Sequence, residues 1–344
     1  MLIESTELTL AHVGLGRLHE CAALALFASA QAHALTANSG GTLADVRDAE
    51  GRPLYPGYYM THLRVPPERT LGTHGVWDKL SVGVEVRCYG GVLLDSDYLL
   101  GSETELRAHA AGQKVQVLPT MHASSMFVLQ ESPSREQQLA KPRAGALAQL
   151  EAMKTPPASM ERFRRARAEG RFDAEQGDGW LTGEPALLPV VAGRDAAPGH
   201  NMMFAKFSEL MGLAERSFLS RQHGFPTALL DCLTTLERET YYFANVSAGE
   251  TVHISLRAQL SGPRPGTAKE NSRGVLVGRV RFSLELTCLA NNELLALSHA
   301  EHAFEVPSAQ QSVMRSAERM LCLHARISST KKESSDAKSR ADSQ

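Results

Sequence analysis

The chain has 344 residues, 43% apolar and 22% charged, the balance of a soluble globular protein long enough for two ordinary domains. A formal net charge of −2 offers no whole-chain attraction to nucleic acid. The five cysteines, Cys21, Cys88, Cys232, Cys288 and Cys322, include no C-x-x-C pair, which excludes the usual zinc and redox spacings and reads as reduced thiols.

The amino terminus, MLIESTELTL, is acidic and lacks both a basic stretch and a continuous apolar core, so it does not read as a signal peptide. The longest apolar run, 21–30 with only Ser29 interrupting, is too short to span a bilayer. A cytoplasmic protein with no membrane association is expected. Residues 5–15 open with alternation at Leu8 and Leu10 and read as an edge strand or a loop. Gly14-Leu15-Gly16 then breaks the chain ahead of an alanine- and leucine-rich helix over 17–36, stopped by Asn38-Ser39-Gly40-Gly41. A polar turn at 48–52 leads into LYPGYYMTHLR, 54–64, a strand that holds three of the chain's seven tyrosines, Tyr55, Tyr58 and Tyr59. Residues 80–88 are the clearest strand: Leu80, Val82, Val84, Val86 and Cys88 alternate with Ser81, Gly83, Glu85 and Arg87. Gly90-Gly91 turns the chain into a partner at 92–100, and a further strand is expected within 114–130.

From 131 to 199 the chain is rich in Pro, Ala, Arg and Glu and reads as a linker with one basic helix, 160–172. Its Arg162, Arg164, Arg165 and Arg167 read as solvated, with docking of an acidic carrier protein or a phosphorylated cofactor as the functional alternative. A second helix follows over 201–223, then a tyrosine strand at 240–246 with Tyr241 and Tyr242, and a partner at 251–260. Val280, Phe282, Leu284, Leu286 and Cys288 alternate next, and Asn291-Asn292 leads into a strand at 294–306. Aligning Tyr59 with Tyr242 gives an offset of 183 that also carries Arg17 onto His200, and the 280–306 series mirrors 80–100. The chain therefore reads as two copies of one unit, 1–130 and 200–327, separated by the linker 131–199. A polar tail, 328–344, is expected to be disordered.

Periodicity gives an α+β class with antiparallel sheets. A long apolar helix wrapped by such a sheet, repeated in tandem, suggests a double hot-dog. In hot-dog proteins the helix amino terminus and nearby backbone N–H groups can polarise a thioester carbonyl. Four segments carry a family resemblance: GLGRLHECAAL (14–24), DAEGRPLYPGYY (48–59), VEVRCYGGVLLDSD (84–97) and ERETYYFANVSAGE (237–250). Spread over most of residues 5–305, they resemble the LnmK-type double hot-dog acyltransferase/decarboxylase family of polyketide biosynthesis.

That resemblance implies that methylmalonyl is taken from coenzyme A, decarboxylated, and delivered as propionyl to an acyl carrier protein. The family's catalytic tyrosine falls on Tyr55, with Tyr58 and Tyr59 a register slip away. His19 stands where a serine is expected before Glu20, and Gly14, Gly16 and Arg17 form the turn set against the acyl-CoA. The second helix opens with His200-Asn201-Met202 in place of a DFNG-like entry. Acyl-CoA and phosphopantetheine enter as substrates, and no resident cofactor is implied. A phenol with an ordinary pKa of about 10 needs a base, for which His12, His19 and His62 are candidates.

Other chemistries leave weaker marks. His299 and His302 fall on opposite faces of a strand and do not form a metal pair. Gly14-x-Gly16 lacks the third glycine of a dinucleotide fingerprint, and no Gly-x-Ser-x-Gly elbow occurs. Asp95 and Asp97 share a strand face and read as a solvated hairpin. A dehydratase or thioesterase would need a catalytic His or acid on a helix, with His200 or Glu209 as candidates. A catalytically inactive acyl- or carrier-binding protein would have a filled channel. Either a monomer or a homodimer satisfies the tandem pattern.

Overall fold

The computed structural model describes residues 1–14, 17–37, 42–129, 139–143, 147, 150–172, 180–195, 202–261, 275–317 and 319–321. Gly16, His200, the 38–41 turn, Cys322 and the 328–344 tail lie outside the described residues.

One large sheet organises the molecule. Its strands are β1 (Leu2–Glu7), β2 (Leu54–Arg64), β3 (Lys79–Tyr89), β4 (Leu93–Gly101), β5 (Thr120–Leu129), β6 (Ala186–Pro189), β7 (Leu233–Tyr242), β8 (Thr251–Ser261), β9 (Val275–Cys288) and β10 (Leu294–Val306). They lie in the spatial order β1-β3-β4-β5-β2-β7-β10-β9-β8-β6, every pair antiparallel. Two short strands, Glu151–Ala152 and Leu181–Thr182, add to β3 and β8. The helices are α1 (Glu20–Thr36), α2 (Glu103–Ala110), α3 (Ala158–Glu169), α4 (Phe204–Ser217) and α5 (Thr227–Leu230).

The same order of elements occurs on either side of the seam between β2 and β7: an edge strand, a long helix, a central strand and three further strands. By sheet position β3, β4 and β5 correspond to β8, β9 and β10. The match of 80–100 with 280–306 drawn from the sequence is therefore one strand out of step.

The hairpin of β3 and β4 turns on Gly90 and Gly91, at left-handed φ of 61° and 73° that glycine adopts without steric cost, with the Val92 N–H donating to the Tyr89 carbonyl. The first helix begins at Glu20, not Arg17, because Arg17–Leu18 pairs with Val13–Gly14 in a small hairpin of its own. Strand β7 begins at Leu233 and ends at Tyr242, earlier than the 240–246 expected. The second helix ends as an α-helix at Ser217 and continues as one π-helical turn, Phe218–Gln222.

Both long helices pack on one side of the sheet and touch one another. Helix α1 buries Ala23, Leu24, Phe27, Ala30, Gln31 and Leu35, a stripe of helical spacing. Helix α4 buries Ala205, Phe207, Leu210, Met211 and Ala214 in the same core, which runs without interruption across the seam. Each fully buried Phe or Leu contributes about 1.5–3 kcal/mol. The opposite face of the seam is covered by α3, whose Phe163 packs with Tyr59, Met60, Tyr241 and Leu297. Gly170, at φ 64°, supplies the left-handed cap that ends α3. Among the described residues no helix is long and apolar enough to cross a membrane.

Candidate active site

Between the two long helices and the seam lies a cavity of about 1110 Å³. Small-molecule sites run to roughly 300–1,000 Å³, so this one takes an extended ligand. Its walls are the first turns of α1 and α4, residues 55–58 at the start of β2, and β7 from Leu233 to Tyr242.

Helix α1 starts at the cavity wall with His19 in an extended N-cap conformation and no side-chain cap. Helix α4 starts there too, behind an equally uncapped Met203. First-turn N–H groups have no intrahelical acceptor, and the helix dipole adds partial positive charge. Two electropositive helix ends therefore meet one cavity. Beside the α1 end stands the Glu209 carboxylate of α4. The Cys21 thiol donates to it at 3.8 Å, and Lys206 Nζ reaches the same oxygen at 2.6 Å. Burial, aided by the Glu209 and Glu20 carboxylates against Lys206, pushes the Cys21 thiol up to about 11, so it stays protonated near neutrality. Burial and the Arg216 charge lower the His19 pKa against the pull of Glu209, which keeps that imidazole neutral.

Deeper in, Arg238 is 3% exposed and joins both helices to the sheet. Its Nε lies 2.7 Å from Glu20 of α1, and its terminal nitrogen 2.9 Å from Glu215 of α4. His302 Nε2 lies 3.1 Å from Glu215, and the Thr235 hydroxyl donates to the second Glu20 oxygen at 2.8 Å. Burial works against the guanidinium charge, but the two carboxylates outweigh it and hold the Arg238 pKa above its ordinary value. Burial likewise opposes the Glu215 charge, yet Arg238 and His302 hold that pKa below the ordinary carboxylate value. Tyr242, in the adjoining wall, is pushed up to about 12 by burial and shares a hydrogen bond with Thr61 at 3.1 Å.

Of the residues singled out from the sequence, His19, Arg17 and Tyr55 line this cavity. Tyr58 lines it as well, its hydroxyl donating to the buried Gln31 at 2.8 Å. Tyr59 does not. A bulge sets Tyr58 opposite Ser125 and Met60 opposite Ser124, and Tyr59 turns to the other face, 3.2 Å from the Ser159 hydroxyl of α3. His62 also lies on that face, 2.6 Å from Glu237, and is not placed to serve Tyr55. Arg17 sits 3.8 Å from the buried Glu305, and Gly14 belongs to the small hairpin ahead of α1. Arg162 of α3 pairs with Glu239 at 3.2 Å while Arg164, Arg165 and Arg167 are exposed. A partner docked on α3 would face away from the cavity.

The sequence reading missed Arg238, Glu215, Thr235 and His302 as a group. It separated His302 from His299 correctly, since His299 packs near Phe172 of the linker face. Asp95 and Asp97 do share a face, but they hold His122 at 3.1 and 2.8 Å, and Asp95 is only 4% exposed. Among the described residues no group of three or more His, Cys, Asp or Glu side chains is arranged to hold a metal ion.

Compared with family profiles and with curated proteins, the sequence matches none. Among solved structures it is similar to an acyl-ACP thioesterase from Bacteroides thetaiotaomicron, with a TM-score of 0.53 and 11% identity over 87% of this chain and 96% of that one. It is also similar to the 12:0-ACP thioesterase from Umbellularia californica, with a TM-score of 0.54 and 12% identity over 88% of this chain and 93% of that one. At such identities the likeness is one of fold, α+β of the hot-dog type.

Proposed function

We propose that the protein hydrolyses acyl thioesters carried on an acyl carrier protein or on coenzyme A. The observation that carries this reading is the Glu209 carboxylate of one helix standing beside the uncapped amino terminus of the other, in the wall of one cavity. The thioester carbonyl oxygen accepts from the first-turn N–H groups of Cys21 and Ala22, which stabilise the developing oxyanion. Glu209 takes a proton from a water whose oxygen bonds to the carbonyl carbon. As the tetrahedral intermediate collapses, the C–S bond breaks and its electron pair leaves with sulfur. Glu209 returns the proton to that sulfur, giving a free acid and a thiol. His19, neutral at the rim, is the second polar group near the attacking water. The likeness of fold to acyl-ACP thioesterases supports the substrate class.

In this reading the chain is two hot-dog units, 1–130 and 200–327, with 131–199 as the linker. The paired helices α1 and α4 then sit where two separate subunits would otherwise bring theirs, and a monomer suffices. Carrier protein and acyl-CoA are the partners, they supply the non-protein groups the reaction uses, and the reaction belongs to the cytoplasm.

A second reading, acyl transfer with decarboxylation in polyketide biosynthesis, is favoured by Tyr55 at the cavity wall together with the family resemblance. One experiment separates the two. A phosphopantetheinylated carrier is incubated with the protein and malonyl-, methylmalonyl- or propionyl-CoA, and free thiol and carrier mass are followed together. Hydrolysis gives free CoA thiol with an unacylated carrier. Propionyl accumulating on the carrier from methylmalonyl-CoA, and lost in Tyr55→Phe, would replace hydrolysis by the transferase. No turnover of any donor by folded protein would leave a binding protein.

A further inference from the structure

The buried polar wall of the cavity has a chemical bias. One guanidinium, Arg238, faces two carboxylates, Glu20 and Glu215, so these three groups carry more negative than positive charge. The guanidinium donors are already committed: Nε to Glu20, one terminal nitrogen to Glu215 and His302, and the other directed at Ser298 and Met211 at 3.4 and 3.8 Å. Each ionised carboxylate offers about four lone-pair sites. The Thr235 hydroxyl spends its proton on Glu20 and keeps its own lone pairs. This wall has acceptors to spare and few donors.

A saturated acyl chain laid against it would cover these groups with methylenes and give them no partner, which costs free energy for each polar atom taken from water. Glu20 directly precedes Cys21, whose N–H is assigned to the thioester carbonyl under the proposed hydrolysis. Both residues line the cavity, so the carbonyl placement of that reading brings the first few carbons of the chain to the wall that holds the Glu20 carboxylate. Beyond it, Phe204, Phe207 and Tyr242 line the cavity with apolar surface.

We infer that the acyl group carries a hydroxyl at C2 or C3, which donates to the Glu20 carboxylate beside Thr235, while the rest of the chain lies on the aromatic wall. The inference rests on the thioester reading for the placement of the carbonyl. A site that hydrogen-bonds a substrate hydroxyl discriminates strongly against the analogue lacking it.

The test uses pantetheine amides, in which nitrogen replaces the thioester sulfur so that no hydrolysis intervenes. Hexanoyl, 2-hydroxyhexanoyl and 3-hydroxyhexanoyl pantetheine amides are titrated calorimetrically into the full-length protein. One hydroxylated amide is expected to bind tighter than hexanoyl by about tenfold or more. In Glu20→Gln and in Glu20→Asp, which withdraws the acceptor by one methylene while keeping its charge beside Arg238, both checked for an unchanged unfolding transition, that preference is expected to fall to about threefold or less. Glu20→Asp serves should Glu20→Gln fail to fold. Equal binding of all three amides, tighter binding of hexanoyl, binding of none, or a preference untouched by a folded variant would overturn the inference. Hydrolysis of the matching thioesters is read separately. A hydroxyl preference in binding with no thiol release would overturn the hydrolysis reading and leave the hydroxyl preference standing.

Discussion

Cys21 and Glu209 meet across the two long helices, sulfur to carboxylate oxygen 3.8 Å apart and 188 positions distant in the chain. Burial and the neighbouring Glu209 and Glu20 carboxylates hold the Cys21 thiol protonated, so under the proposed hydrolysis the group that activates water is Glu209 and not Cys21.

Cys21→Ala is therefore expected to keep most of its hydrolytic activity. Alkylation of Cys21 by iodoacetamide, followed by peptide mass mapping, should be slow at neutral pH. With its pKa pushed up to about 11, its rate should rise about tenfold per pH unit from pH 7 to 9. A rate that levels off below pH 8 would mean a thiolate and would make Cys21 a candidate nucleophile.

Arg238→Met leaves Glu20 and Glu215 buried without their cation, and about 3–5 kcal/mol of stability should be lost in urea unfolding at pH 7. The pH dependence has a definite sign. The Glu215 pKa is lowered from 4.5, so its contribution is present above 4.5 and lost as pH falls through the depressed folded value. Glu215→Gln should flatten that acid limb.

His122 behaves in the opposite sense. Burial disfavours its charge, but Asp95 and Asp97 win and raise its pKa from 6.5 to about 9. Its contribution is full below 6.5 and is lost as pH rises through about 9. At 30% side-chain exposure, screening limits it to about 1 kcal/mol. An NMR titration of the His122 ring should show a midpoint near 9, and His122→Gln should remove the alkaline slope in stability.

Gly212 of α4 lines the cavity, and a Cβ placed there meets nothing within 4 Å. Gly212→Ala should raise stability by up to about 1 kcal/mol through helix propensity alone. Gly212→Phe should instead fill the cavity and lower kcat/KM for long acyl chains more than for acetyl. Equal losses for both chain lengths would place the acyl group elsewhere.

The sheet was most legible where one strand face is apolar. Strands β2 and β10 have the limits expected from the turn signals that flank them, and β3 extends the expected strand by one residue at each end. Strand β7 was misplaced for the reason that makes it interesting. Thr235 and Arg238 turn to the helix side, so LTTLERE shows no apolar alternation and reads as polar connection. The α2 signal was present and overlooked, since Ser102 and Glu105 form a capping box at its start. Alternation alone turns Tyr59 away from Tyr58, but the bulge that keeps Met60 on the same face as Tyr59 has no mark in LYPGYYM, because it is set by the pairing of β2 with β5. Glu209 was named from its helix. Its neighbour at the other helix end becomes visible only when α1 and α4 pack together.

The most direct test is single-turnover hydrolysis of an acyl-loaded carrier protein by the wild-type chain and by Glu209→Gln, followed by intact mass. Wild type should strip the acyl group. The folded variant should do so about 10²–10⁴ times more slowly at saturating enzyme. Equal rates would contradict the assignment of Glu209, and an intact acyl-carrier with both proteins would contradict hydrolysis itself.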